Sequence, residues 1–278
     1  MGRAQDEQRA ILAAVTFAER LAALCQERHS HVCVGLDPLP DRLPAAVRGA
    51  DDPVFAFNRA IVDATLDLAP VYKPNLAFYE ALGLAGWSSL KKTVDYIGRR
   101  AFVIGDGKRG DIDATAVAYA RAMFDVFGFD ACTVNAYQGV DAVGPFLAHR
   151  DRGVFVLCRS SNPSASDVQD CRIGDQTVHE RIARLAVGWN REGNCGLVAG
   201  ATRPEELARV RAIAAGLPLL IPGVGAQGGD AAAAARGARG GPFVISASRS
   251  IIYAGDGPDF AEAARRATTR LRDEIAAA

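Results

Sequence analysis

Lysine is scarce among the basic residues of this chain. Of 32 basic residues only four are lysines: Lys73, Lys91, Lys92 and Lys108. Lys73 and Lys108 close apolar runs, where a chain that otherwise selects arginine keeps a compact point charge able to give up its proton. An excess of charge is missing too, since 32 Lys+Arg balance 32 Asp+Glu. Without a basic stripe, nucleic acid is not an expected partner. No apolar stretch approaches the roughly 20 residues of a membrane span, and residues 1–28 mix charges with alanines where a signal peptide would have an apolar centre. Six cysteines include no CxxC pair and no metal-like spacing. Four of them, Cys33, Cys132, Cys158 and Cys195, sit in apolar runs, as small buried thiols of a reducing compartment do. His29, His31, His149 and His179 fit no hydrolase or metal pattern. The expectation is a soluble cytoplasmic protein with no metal site, whose chemistry rests on carboxylates, lysine and arginine.

What is present is a regular alternation. Apolar runs at residues 31–37, 71–74, 101–106, 131–135, 153–158, 195–200, 218–222 and 243–246 are continuous rather than alternating, as expected of parallel strands covered on both faces. Helix signals lie between them. Asp52-Pro53 is a cap followed by proline at the first helical position, with Val54, Phe57, Ile61 and Leu68 on one face. Leu90, Val94 and Ile97 mark a second helix, and Ile112, Tyr119, Met123 and Val126 form a stripe that stops at Gly128. Val178, Ile182, Leu185 and Trp189 share a face, and Thr202-Arg203-Pro204-Glu205 has capping-box spacing. Eight such strands in 278 residues predict an α/β fold, a (β/α)8 barrel spanning 1–278 as one domain, with a doubly wound sheet as the runner-up. Residues 1–30 read as an added N-terminal helix (Phe17, Leu21, Leu24) packed on the barrel. Residues 159–176 read as a polar connection longer than usual, a lid or pocket wall, with a solvated surface loop as the alternative.

In such a barrel the functional side chains gather at the carboxyl ends of the strands. Those ends carry Asp37, Lys73-Pro74-Asn75, Asp106-Gly107-Lys108, Asn135, Ser160-Ser161-Asn162-Pro163, the run Pro222-Gly223-Val224-Gly225-Ala226-Gln227-Gly228-Gly229, and Ser248-Arg249-Ser250. The most telling is Asp106-Gly107-Lys108-Arg109-Gly110-Asp111, two carboxylates around one ammonium. The last two ends read as a phosphate site: glycines expose amides around Gln227, Arg249 can grip two oxygens, and a helix starts beside them.

Taken together, Val34-Gly35-Leu36-Asp37-Pro38, Lys73-Pro74-Asn75, Asp106-x-Lys108-x-x-Asp111-Ile112-x-x-Thr115, Ser160-Ser161-Asn162-Pro163, the Pro222–Gly229 run and Ser248-Arg249-Ser250 resemble the orotidine 5′-phosphate decarboxylase family over almost the whole chain. The wording around Arg159 and the N-terminal helix resemble its longer bacterial subgroup. The resemblance implies a homodimeric barrel that converts orotidine 5′-monophosphate to UMP and CO2, the last step of de novo pyrimidine nucleotide biosynthesis, without metal or organic cofactor. It implies that Asp37 and Lys73 contact the ribose, with Asn75 and Asn135 nearby, and that Lys108, Asp106, Lys73 and the partner subunit's Asp111 form the reacting array. Ile112 and Thr115 would enter the neighbouring site with that aspartate. Ser161 would read the pyrimidine, with Ser160 the alternative because the doubled serine leaves the register open. Gln227 and Arg249 would hold the phosphate beside Pro222 and Ser248. The chain departs from the family where Ser246-Ala247-Ser248 replaces a commonly glycine-bearing loop, which leaves open the amides that reach the phosphate. Two rivals share the rim: a sugar-phosphate decarboxylase or epimerase on the same barrel, and a non-catalytic nucleotide-binding protein. Fold alone separates none of the three.

Overall fold

A computed structural model describes residues 15–225 and 228–278; the first half of the N-terminal extension and Gln227 lie outside the described residues. Eight parallel strands close into a barrel. In chain order they are β1 (Val32–Gly35), β2 (Val71–Lys73), β3 (Phe102–Arg109), β4 (Ala131–Val134), β5 (Gly153–Arg159), β6 (Cys195–Ala199), β7 (Leu219–Pro222) and β8 (Phe243–Ala247). Each strand pairs with its sequence neighbours, and β8 closes on β1 through Val32 opposite Ile245. The expected runs therefore all form strands, with ends moved by a few residues.

Strand geometry explains both the continuous hydrophobicity and the position of the site. Side chains alternate across a strand with period two. One set, including Val34, Tyr72, Val103, Val134, Val156, Leu197, Ile221 and Ile245, packs under the surrounding helices. The other set supplies one residue per strand to a single inner layer: Cys33, Val71, Ile104, Ala131, Phe155, Val198, Leu220 and Val244. Two residues further along, the same inward parity delivers Lys73, Asp106, Thr133, Leu157, Pro222 and Ser246. The oily layer thus forms the floor of whatever the polar layer builds.

Helix Phe17–Glu27 seals the other side of that floor. Thr16 and Glu19 form a reciprocal capping box at its start, and Phe17, Leu21 and Cys25 join the inner layer. Phe17 stacks on Phe102 at 5.6 Å and meets Phe155 edge-on at 6.0 Å. Cys25 is buried with Phe17 and Leu21, whereas the expected Leu24 is only half-buried.

Three local expectations are corrected. The Ile112–Tyr119–Val126 stripe faces outward, while Ala116, Ala120, Met123 and Phe124 face the core. Helix Asp113–Arg121 runs into a wider π-helical turn, Ala122–Val126, and small alanines let it lie close to the sheet. No capping box forms at Thr202, whose hydroxyl donates to the Ser161 carbonyl at 3.3 Å; the second capping box is Thr177 with Glu180. The 159–176 segment is not an irregular loop. It holds a 3-10 turn at Pro163–Ala165, a helical turn at Ser166–Gln169 and a small antiparallel ribbon, Arg172–Ile173 with Gln176–Thr177.

The seal tolerates no extra volume at Gly153, where a Cβ would lie 2.4 Å from two ring carbons of Phe17. Gly153→Ala should lower stability by about 1–3 kcal/mol through overpacking, read as a shift in denaturant midpoint, with partial recovery when Phe17 is shortened to Leu. An unchanged midpoint would show that the helix is not seated on β5.

Candidate active site

At the carboxyl ends of the strands lies a cleft of about 410 Å3, lined among others by Asp37, Lys73, Asp106, Lys108, Ser161 and Arg249. A larger hollow of about 1040 Å3 lies at the opposite end, around Arg20, Asp130, Arg152 and Arg191. Its Arg150 and Arg152 are already paired with Glu192, Asp130 and Asp151, and it contains no carboxyl-end residue of the inner parity.

The centre of the cleft is one buried carboxylate. Asp106 Oδ2 accepts from Lys73 Nζ at 2.8 Å, and Oδ1 accepts from Lys108 Nζ at 2.7 Å. Thr133 Oγ1, fully buried on β4, donates to Oδ1 at 2.9 Å. The same hydroxyl accepts the Lys108 backbone N–H at 2.9 Å. Residues 105–109 of β3 bulge against β4, since Gly105 faces Cys132 and Arg109 faces Val134. Lys108 sits on this bulge with φ of 44°, a left-handed conformation costly for a side-chain-bearing residue. The bulge turns two same-strand residues, Asp106 and Lys108, toward one another. Lys73 is 7% exposed in its side chain and Lys108 41%. One lysine therefore lies beneath the carboxylate and the other reaches into the cleft.

Electrostatics follow from this stacking. Burial alone would raise the Asp106 pKa, but Lys73 and Lys108 outweigh it and hold the carboxyl far below the usual carboxylate range. Burial disfavours the Lys73 charge, yet Asp106 and Asp37 overcome that and lift its amine above the ordinary lysine value. Cys33, one layer below, is pushed up to about 12 by burial and stays a neutral thiol. Asp37 Oδ1 accepts the Asn75 N–H at 3.1 Å, fixing the β2 end against the β1 end.

Other expected residues divide into three groups. Asn75, Ser160, Ser161, Pro222, Ser248 and Arg249 line the cleft. Asn135 does not: its Oδ1 accepts the Tyr137 N–H at 2.9 Å, a local turn that holds the side chain in its own loop. Asp111, Ile112 and Thr115 also lie off the cleft, with Asp111 Oδ1 accepting the Ile112 N–H at 2.8 Å. Among the described residues Asp111 forms no ion pair. The glycine loop is described on either side of residues 226 and 227. Its Gly225, Gly228 and Gly229 N–H groups bond to carbonyls of Gly229, Gly225 and Gly223 within the loop, so they are not open anion donors. Thr133, Leu157 and Val198 were missed, although their inward parity in apolar strands was a usable signal. Among the described residues no three His, Cys, Asp or Glu side chains cluster as metal ligands, and no helix is long and apolar enough to cross a membrane.

The array makes a stability claim with a definite sign. Asp106, its pKa depressed, stabilises the fold above about pH 4 and loses this as pH falls toward its folded value; Lys73, its pKa raised, contributes below about pH 10 and loses this as pH rises. Asp106→Asn strands two ammonium groups and should cost about 3 kcal/mol or more at neutral pH. Denaturant titrations should show the gap to wild type narrowing below about pH 4. An Asn variant as stable as wild type at pH 7 would refute the buried pairing.

Comparison with known proteins bears on this geometry. The family model described as "Orotidine 5'-phosphate decarboxylase / HUMPS family" matches residues 30–267. The orotidine 5′-phosphate decarboxylase of Azoarcus sp. is 50% identical over 266 residues, covering 93% of this chain and 98% of that protein. The one from Thermomicrobium roseum is 47% identical over 267 residues, covering 94% and 95%. Among solved structures, the Leishmania donovani OMP decarboxylase superposes with a TM-score of 0.82 at 36% identity, covering 95% of this chain and 98% of that one. A putative orotidine 5′-phosphate decarboxylase from Streptomyces avermitilis gives 0.80 at 33% identity, covering 95% of each. The barrel, the bulged Asp106–Lys108 strand end and these matches lead to one assignment: the chain belongs to the orotidine 5′-phosphate decarboxylase / HUMPS family.

Proposed function

We propose that this protein decarboxylates orotidine 5′-monophosphate to UMP and CO2, with no metal or organic cofactor taking part, as a cytoplasmic step of pyrimidine nucleotide biosynthesis. The observation that carries the reading is the Lys73–Asp106–Lys108 chain of contacts at 2.8 and 2.7 Å along the cleft, with Lys108 its most exposed member. Relatives named orotidine 5′-phosphate decarboxylase, at 45–50% identity over nearly the full chain, support it.

The chemistry demands such an array. When the bond from C6 to the carboxylate breaks, its electron pair stays on C6 in the ring plane, out of reach of the ring π system. A fixed ammonium, already oriented, stabilises that charge without reorganisation. Lys108 Nζ then gives a proton to C6, forming the new C–H bond, and the neutral amine is reprotonated by water. Asp106 keeps Lys108 aimed and charged, and faces the substrate carboxylate, which is released from that repulsion as CO2 leaves. Lys73 prevents Asp106 from taking up the proton itself.

The remaining roles combine position along the cleft with, for Gln227, the family resemblance. Asp37, Lys73 and Asn75 hold the ribose hydroxyls; Ser161 reads the pyrimidine edge against the apolar wall of Leu157 and Val198. Arg249 and Gln227 bind the phosphate. Ser248 Oγ, buried and without a hydrogen-bond partner among the described residues, is a further donor at the phosphate end. The phosphate's binding energy is spent on organising groups remote from it.

The same reading makes the working unit a homodimer of single-domain barrels. Val117, Val126, Val140 and Tyr137 are exposed on adjoining helices and loops, Tyr137 to 91%, beside Ile112 and Thr115. A second copy covering this face would bring Asp111 of each protomer to the Lys108 of the other.

Two tests follow. Purified protein with chelator should lower the absorbance of orotidine 5′-monophosphate at the long-wavelength edge of its band, where UMP absorbs less, and Lys108→Ala should be slower by about 10^3-fold or more. Lys108→Arg should fail as badly, because arginine cannot deliver the proton. Inactivity of the wild type, or activity of Lys108→Ala, would end the proposal. Secondly, mixing inactive Lys108→Ala with inactive Asp111→Ala should regain about a quarter of wild-type sites, since half of the exchanged dimers then carry one intact site. No recovery after subunit exchange would mean that each barrel completes its own site.

A further inference from the structure

The excursion that follows β5 is tied down by a buried arginine. Arg159 is 3% exposed. Its Nε donates to Glu206 Oε2 at 2.6 Å, Nη2 to Asp170 Oδ2 at 3.1 Å, and Nη1 to Gln169 Oε1 and the Ser160 carbonyl at 3.2 Å each. A guanidinium with donors on several sides in one plane can hold three chain segments at once; here they are the β5 end, the helical turn Ser166–Gln169 and helix Pro204–Ile213.

Gln169 passes that restraint to the doubled serine. Its Oε1 accepts the Ser160 N–H at 2.8 Å, and its Nε2 donates to Ser160 Oγ at 2.7 Å. Ser160 Oγ in turn donates to Asn162 Oδ1 at 2.7 Å. Its single proton and an acceptor position are therefore committed to the excursion. The Gln169 carbonyl accepts from His179 Nδ1 at 2.9 Å, so the glutamine backbone is anchored as well. Ser161 is seated from the other side. Its carbonyl accepts from Thr202 Oγ1 at 3.3 Å, and a Cβ on Gly200 would lie 2.9 Å from the Ser161 Cβ.

We infer that Gln169, held by Arg159, is a positioning residue that sets the serine register, so that Ser161 and not Ser160 presents its hydroxyl to the pyrimidine. This rests on the nucleotide reading proposed above and adds a determinant of base affinity that never touches the base. Replacing Gln169 removes two bonds to Ser160 and frees the doubled serine to rotate or slip, while Arg249 and the ribose contacts stay as they were.

Calorimetric titration with two probes, UMP and ribose 5-phosphate, separates base recognition from the rest. Gln169→Leu should weaken UMP by about tenfold, a change typical of losing such bonds, and leave ribose 5-phosphate within about twofold. Ser160→Ala, which removes one of the two bonds without disturbing Arg159, should show the same selective loss at about threefold. Ser161→Ala should match or exceed the Gln169→Leu loss for UMP. Equal weakening of both probes, or none in either variant, overturns the inference while leaving wild-type UMP binding and the proposed reaction intact. A wild type that binds neither probe overturns the nucleotide reading and this inference with it.

Discussion

Everything at the working end of this barrel depends on Asp106 holding two ammonium groups at once. A carboxylate in that position meets a large desolvation penalty, which the contacts to Lys73 and Lys108 offset. The lysines differ in what they gain. Lys73 is confined below the carboxylate, whereas Lys108 keeps nearly half of its side chain accessible from the cleft. The arrangement therefore holds a proton-bearing group at the cleft with its counter-charge behind it. Arginine in either place would bring a broad planar fork that stays charged and does not act as an acid at working pH, which accounts for lysine at these two positions in an arginine-rich chain.

The barrel produces this arrangement by parity. An apolar layer made of one residue per strand is sealed by Phe17, Leu21 and Cys25. Residues two further along each strand stand above it, in a region screened from water on the lower side. Low local polarity strengthens the charge contacts and makes any unpaired group costly. The strand bulge at residues 105–109 supplies the one irregularity the chemistry requires, and Thr133 bonds both arms of it. Helix Phe17–Glu27, far from the reacting groups, acts on them through that floor.

The strands and the charged array were legible because their signals are local. Continuous apolar runs mark doubly covered strands, and the Asp106-x-Lys108 spacing puts opposite charges within reach on one strand end, whereas Asp111 lies beyond it. Thr133 was readable in principle by counting twos from Ala131 but was hidden inside an apolar run. What stayed hidden depends on contacts between distant segments. Gln169 takes Ser160 rather than Ser161 as its partner, and nothing in the order of residues 159–170 shows which serine the glutamine takes. The stripe Ile112–Tyr119–Val126 has correct helical spacing but faces outward. Apolar periodicity reports a buried face without saying whether core or partner buries it. In the glycine loop, glycines permit exposed amides, yet those of Gly225, Gly228 and Gly229 fold back on the loop's own carbonyls.

The central claim is that a primary ammonium at position 108, backed by Asp106, carries the reaction. It is tested most directly by rebuilding that group chemically on an inactive variant. Lys108→Cys treated with 2-bromoethylamine gains a side chain ending in an amine at nearly lysine length; treatment with ethyl iodide adds a neutral chain. Aminoethylation should restore decarboxylation of orotidine 5′-monophosphate and ethylation should not, with identically treated wild type as the control for its own thiols. Equal activity from both adducts, or full activity in untreated Lys108→Cys, would contradict the account.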